Sequence, residues 1–181
     1  MPGGHRPKPN ISRALNQLGC SLLALGRIDQ AVTVLEEGVA VARELEHTSL
    51  IANLLNSLGM ALLAQGDMSR AGACQRESLS IARELHNGVL IAYGVEGMAL
   101  QWQAEGDPLR ATRLWGAASR LRLNAPRPTP YETDLYTRSQ EALRHQIGPA
   151  FDDACREGAS MTRERAVEHA LSEEVSGAPA R

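Results

Sequence analysis

Asn16, Asn56 and Glu96 recur at intervals of about 40 residues. Amides in such a ladder can hydrogen-bond an extended peptide backbone, and a carboxylate can receive a basic group. The competing reading is plainer: solvated polar positions on amphipathic helices. No other set in the chain has spacing suited to chemistry. His5, His47, His86, His145 and His169 form neither HExxH nor a ligand pair at i, i+4. Glu36-Glu37 and Asp152-Asp153 are adjacent, so they diverge on a helix surface and suit solvation better than general acid–base work. No Ser/His/Asp or Cys/His set stands out. Cys20, Cys74 and Cys155 are odd in number and lack a CxxC pattern, which argues against a disulfide framework or a zinc site. They read as small buried hydrophobes in a reducing compartment. The expectation is a protein without catalytic residues, metal or cofactor.

The elements that position these residues repeat with the same period. Ile11-Leu15-Leu18-Gly19-Leu22 returns as Ile51-Leu55-Leu58-Gly59-Leu62, and more loosely as Ile91-Val95-Met98-Ala99-Trp102. Gly26, Gly66 and Gly106 recur, each followed by Ala31, Ala71 or Ala111. Such a period marks an α-solenoid, all-α and built of stacked antiparallel helix pairs. Composition agrees: 43% of the chain is hydrophobic but only 3% is aromatic, so Leu and Ala fill the core. The formal charge is −2 and Lys8 is the only lysine, which gives no field favouring nucleic acid or an acidic membrane. No apolar stretch approaches the ~20 residues that span a bilayer. Residues 1–10 are Pro/Gly-rich without an apolar h-region, so no signal peptide is expected and a cytoplasmic location follows.

The reading divides the chain as follows. Residues 1–10 form a disordered lead-in. Three repeats cover 11–124, as 11–50, 51–90 and 91–124, each a helix, a glycine turn and a returning helix. Asp67 and Asp107-Pro108 are helix starts, and Asn87-Gly88 is a terminator tolerant of the left-handed conformation. Residues 125–130 are a proline-rich linker. Capping helices occupy 131–174, with Thr129…Glu132 as a capping box, Gly158 as a stop and Thr162 as a cap. Residues 175–181 form a disordered tail. The capping helices are expected to cover the last repeat. The first repeat has no such cover. That predicts a longer parent protein, or a partner at this face such as a second copy in a homo-oligomer.

Leu18-Gly19…Leu22…Gly26…Ala31, repeated at 58, 59, 62, 66 and 71, resembles the tetratricopeptide repeat, which implies a right-handed superhelix. The units of about 40 residues exceed the usual ~34. Longer repeats of this kind resemble those of large bacterial regulators that join a signal-transduction ATPase to a LuxR-type DNA-binding domain. Ala104-Glu-Gly-Asp-Pro-Leu-Arg-Ala111, Arg113-Leu-Trp-Gly-Ala117 and the segment from Phe151 through Met161-Thr-Arg-Glu-Arg-Ala-Val167 resemble the last repeat and closing segment of that group. There is no GxxxxGK[ST], and too few residues follow Thr162 for a helix-turn-helix. The resemblance therefore implies a sensor arm without motor or DNA reader.

Carried onto this sequence, the tetratricopeptide pattern puts Arg13, Asn16 and Cys20, then Asn53, Asn56 and Met60, then Tyr93, Glu96 and Leu100 on the concave face. The partner-binding groove is assigned to Arg13, Asn16, Asn53, Asn56, Met60, Tyr93 and Glu96, for a protein or peptide partner. An alternative is an effector-sensing arm that biases an ATPase carried elsewhere. Trp102 and Trp115 are expected to fill the core where the last repeat meets the 131–147 helix. The arginines at 110, 113, 120, 122 and 127 could meet an acidic partner, but an amphipathic surface helix is the favoured reading.

Overall fold

The computed structural model describes residues 9–172; the remainder of the expected lead-in and the tail from 173 lie outside the described residues. The fold is all-α. Three antiparallel pairs follow one another: α1 (Pro9–Ala24) with α2 (Ile28–Glu44), α3 (Thr48–Gln65) with α4 (Met68–Glu84), and α5 (Gly88–Ala104) with α6 (Pro108–Leu121). Then come α7 (Pro130–Ile147), α8 (Ala150–Ala159) and α9 (Arg163–Leu171). Each helix packs on the next in sequence through α6, and α1, α3 and α5 also touch one another in order. This is the stacking of a tetratricopeptide-like solenoid. Helix α1 already begins at Pro9, inside the stretch expected as lead-in. Proline suits a first helical turn because its missing N–H has no helical partner there.

The turns follow from local chemistry. Gly26, Gly66 and Gly106 close the pairs with φ of 71°, 91° and 86°, a left-handed conformation that L side chains resist. Between repeats the same conformation falls on Glu46 (φ 53°) and His86 (φ 51°). The expected terminator at Asn87-Gly88 is thus displaced by one residue. Asn87 is extended, and its side chain accepts from the Val89 and Leu90 N–H groups, so it starts α5 instead of ending α4. An asparagine serves well in that role because its carbonyl satisfies otherwise orphaned donors. The caps at Asp67, Asp107 and Thr162 and the Thr129–Glu132 capping box are all formed.

Close helix approach explains the recurrent small residues. A Cβ on Gly19 would overlap the Leu35 side chain, and one on Gly59 would overlap Gln75. Ala31, Ala71 and Ala111 are each 0% exposed. Buried polar side chains on α4 and α5 also tie neighbours together. Gln75 Nε2 donates to the Asn56 carbonyl at 3.2 Å, Ser78 Oγ to Ala52 at 2.7 Å, and Gln101 Nε2 to Met68 at 3.0 Å. Such bonds punish register slips between helices, because a displaced amide would be buried without a partner.

The last three helices close the C-terminal end. Helix α8 lies against α6 as α3 lies against α2 and α5 against α4. Gly158 was expected to end this helix; it lies inside it, and the helix runs on to Ala159. A Cβ on Gly158 would overlap the Arg113 carbonyl, and one on Gly116 would overlap the Cys155 carbonyl. These glycines are therefore contact points where two backbones touch. Helix α9 packs against α4, α5 and α6. Arg110, 0% exposed, holds it there. The guanidinium stacks 3.7 Å from the Trp102 ring centre and donates to the His169 and Ser172 carbonyls, while Trp102 Nε1 donates to the Ala170 carbonyl at 3.0 Å. A cation at a helix C-terminus meets the negative end of the helix dipole.

Candidate binding groove

The first helices of the three pairs carry the residues assigned to the groove from sequence. Arg13 is exposed on α1, whereas Asn16 on α1 and Asn53 on α3 are half-buried. Asn56, Met60 and Glu96 are buried, at 5%, 4% and 3% exposure, and Tyr93 is half-buried. Asn56 points between α3 and α5, where a Cβ on Gly97 would overlap its Oδ1. Cys20 is half-buried beside Ser57, and burial pushes its thiol above the ordinary cysteine range.

The third-repeat sector of this face is filled by the chain itself. After α6 the chain makes a short 3-10 turn at Arg122–Asn124, then crosses the face through its proline-rich segment into α7. Arg122 donates to Glu96 through both nitrogens, Nε to Oε1 at 2.5 Å and Nη2 to Oε2 at 2.7 Å. Its guanidinium sits 4.8 Å from the Tyr93 ring centre. The Tyr136 hydroxyl of α7 reaches the same carboxylate. The Tyr136 ring packs 4.9 Å from Trp115, whose Nε1 donates to Ser139 Oγ at 3.1 Å. Gln103 completes the contact by bonding both the Ser139 hydroxyl and its carbonyl.

Electrostatics follow from this burial. Loss of water pushes the Glu96 carboxyl above the usual carboxylate range, against the pull of Arg122 and of the Tyr136 hydroxyl. Burial also raises the Tyr136 phenol, and the Glu96 charge raises it further. The pair is bidentate and nearly dry, so removing one partner strands the other. Sequence reasoning expected Glu96 to receive a basic group; in the structure that group is Arg122. Two more of the clustered arginines also turn inward. Arg110 is buried, and Arg113 Nε pairs with Glu157 of α8 at 2.7 Å. Helix α6 is amphipathic as expected, with Arg120 exposed, but Arg110 belongs to its buried face, and Arg113 and Arg122 are paired within the chain. The missed signal is position: Arg110 lies on the same face as Leu114 and Ala118, the buried face of α6.

An apolar hollow of about 290 Å³ remains under the first turns of α7, walled by Met60, Leu63, Met68, Leu100, Tyr131 and Leu135. Arg13, Asn16 and Asn53 lie outside it. Among the described residues no cluster of three or more His, Cys, Asp or Glu side chains could hold a metal, and no helix is long and apolar enough to cross a membrane.

Residues 12–46 and 51–88 match the tetratricopeptide repeat family. These two stretches are similar to tetratricopeptide repeats. The matched stretches are the α1–α2 and α3–α4 pairs, and α5–α6 repeats their geometry without falling in the match. No curated protein and no solved structure matches the chain. Tetratricopeptide repeats generally mediate protein–protein interaction.

Proposed function

We propose that the protein is a non-catalytic interaction scaffold of a bacterial regulatory system, acting in the cytoplasm. Its concave face takes a peptide or partner helix, not nucleic acid or a membrane. One observation carries this reading: the face already holds a helix. Helix α7 is seated there by an aromatic contact to Trp115, a hydroxyl on Glu96 and paired amide bonds to Gln103. A surface that accommodates one amphipathic helix has the width and polarity for another segment beside it. The sector left open is that of Arg13, Asn16 and Asn53. Met60, Tyr93, Glu96 and Asn56 then act as its floor and frame, not as direct contacts.

The regulatory context rests on the likeness of the last repeat and of the segment 151–167 to the closing part of ATPase-linked bacterial regulators. Under the alternative, an effector-sensing arm, a small molecule in the hollow beneath α7 would shift that helix. The hollow's apolar walls of Met, Leu and Tyr suit an uncharged ligand.

The test is an affinity capture with immobilised wild type and with the Arg13→Glu/Asn53→Ala variant. A partner retained by wild type and reduced about tenfold by the variant supports the groove. Equal recovery of every partner removes it. A midpoint raised by candidate metabolites, with capture unchanged, moves the reading to the sensor arm.

A further inference from the structure

Leu18 is 49% exposed on α1, whereas its counterparts Leu58 on α3 and Met98 on α5 are 4% and 0% exposed. The inner two are covered by the preceding helix pair. Ile11 and Leu25 lie seven residues to either side of Leu18 and are 43% and 70% exposed. Seven residues are about two turns, so Ile11 and Leu18 share one face of α1, with small Ala14 and Ser21 beside them, and Leu25 follows in the turn just past Ala24. These are the densest exposed large apolar residues on the described surface. Of the other exposed large apolar residues, Met68 belongs to the hollow beneath α7, and Leu85 and Leu123 lie far from each other in sequence.

The register of the stripe says what covers it. Position 25 corresponds to Gln65 in the second repeat and Glu105 in the third, and both are exposed. A preceding repeat helix therefore leaves that position in water. Leu25, in the turn after Ala24, lies past the reach of such a helix, so a cover that also takes Leu25 must run beyond the end of α1. A head-to-tail copy does not fit, because the outward residues of α8 at the other end are Asp152, Asp153, Arg156 and Glu157. Residues 1–8 offer one large apolar side chain, Met1. The stripe does match itself. With a two-fold axis at Leu18, Leu18 meets Leu18, and Ile11 meets Leu25 of the partner at both ends. The only charged residue of α1 is Arg13, on the groove side, so no like charges oppose along the seam.

We infer that this face pairs with a second copy of the chain, α1 against α1, antiparallel about Leu18. The 16-residue helix is roughly 24 Å long. One helix pair of that length buries less than about 1,200 Å², the range of weak, reversible assemblies. The groove faces away from the seam, so dimerisation stands or falls separately from partner capture.

Sedimentation of the full chain from about 1 µM to about 500 µM tests the inference. Expected is a monomer–dimer equilibrium, weakened at least about tenfold by Leu18→Arg, with helicity retained because that side chain is already half in water. Geometry is read by mild oxidation in a background with Cys20, Cys74 and Cys155 replaced by Ser. Leu18→Cys should form a covalent dimer with itself. Leu25→Cys should not, but should cross-link to Ile11→Cys when the two variants are mixed. A chain that stays monomeric throughout, a dimer indifferent to Leu18→Arg, or self-cross-linking at position 25 in place of 18 overturns the pairing.

Discussion

The two ends of the solenoid meet water in opposite ways. At the C-terminal end, α6 is covered by α8 through backbone contacts at Gly116 and Gly158, and α9 is held by a fully buried arginine. At the N-terminal end, α1 leaves Ile11 and Leu18 43% and 49% exposed, and Leu25 in the turn after it is 70% exposed. Both ends are made of the same kind of amphipathic helix. The difference shows that closure needs more than an apolar face: it needs backbone proximity and polar groups that fix the angle of the covering helix. An apolar stripe alone leaves the seat available to another molecule.

The contrast breaks most severely at Gly158. Gly158→Leu pushes a side chain into the Arg113 carbonyl, and overpacking against backbone costs about 3 kcal/mol. Amide exchange should accelerate in α8 and α9 while α1–α3 stay protected; uniform acceleration would mean that the two ends unfold as one unit. Arg110→Met comes next. It keeps volume on Trp102 but leaves the His169 and Ser172 carbonyls without their charged donor, an effect of about 2 kcal/mol. Limited proteolysis should then cut around residues 160–172 first. Leu18→Gln is the smallest. In the dilute monomer it should move stability by no more than about 0.5 kcal/mol, as expected for an exposed site. A larger loss in thermal unfolding would show that α1 is covered after all.

The repeats were legible because their period is written in residue types that have one steric job. Gly19, Gly59 and the three alanines at 31, 71 and 111 predict close helix crossings, and the structure has them. Capping chemistry was equally readable at Asp107-Pro108 and Thr129-Glu132, since it depends on neighbours in sequence. What could not be read depends on contacts across long separations. Arg110 and Arg122 look like surface charges in a local window. Only the folded chain brings the carbonyls of α9 to one and Glu96 to the other. Gly158 looked like a helix stop for the same reason, because its constraint comes from Arg113, 45 positions earlier in the chain. Of the residues assigned to the groove, Glu96 reads in sequence as able to receive a basic group, and the folded chain supplies that group itself from Arg122.

The glycine contact between α6 and α8 has a bearing on how such arrays grow. Helix α8 occupies the berth that the leading helix of a fourth unit would take on α6. Duplicating a pair behind α6 would evict α8, and with it the anchor of α9. A new unit spliced between existing pairs meets no such obstacle, since Ala31, Ala71 and Ala111 offer interchangeable docking points. Evolutionary or engineered lengthening of this solenoid should therefore proceed by internal insertion, with the terminal module carried along unchanged.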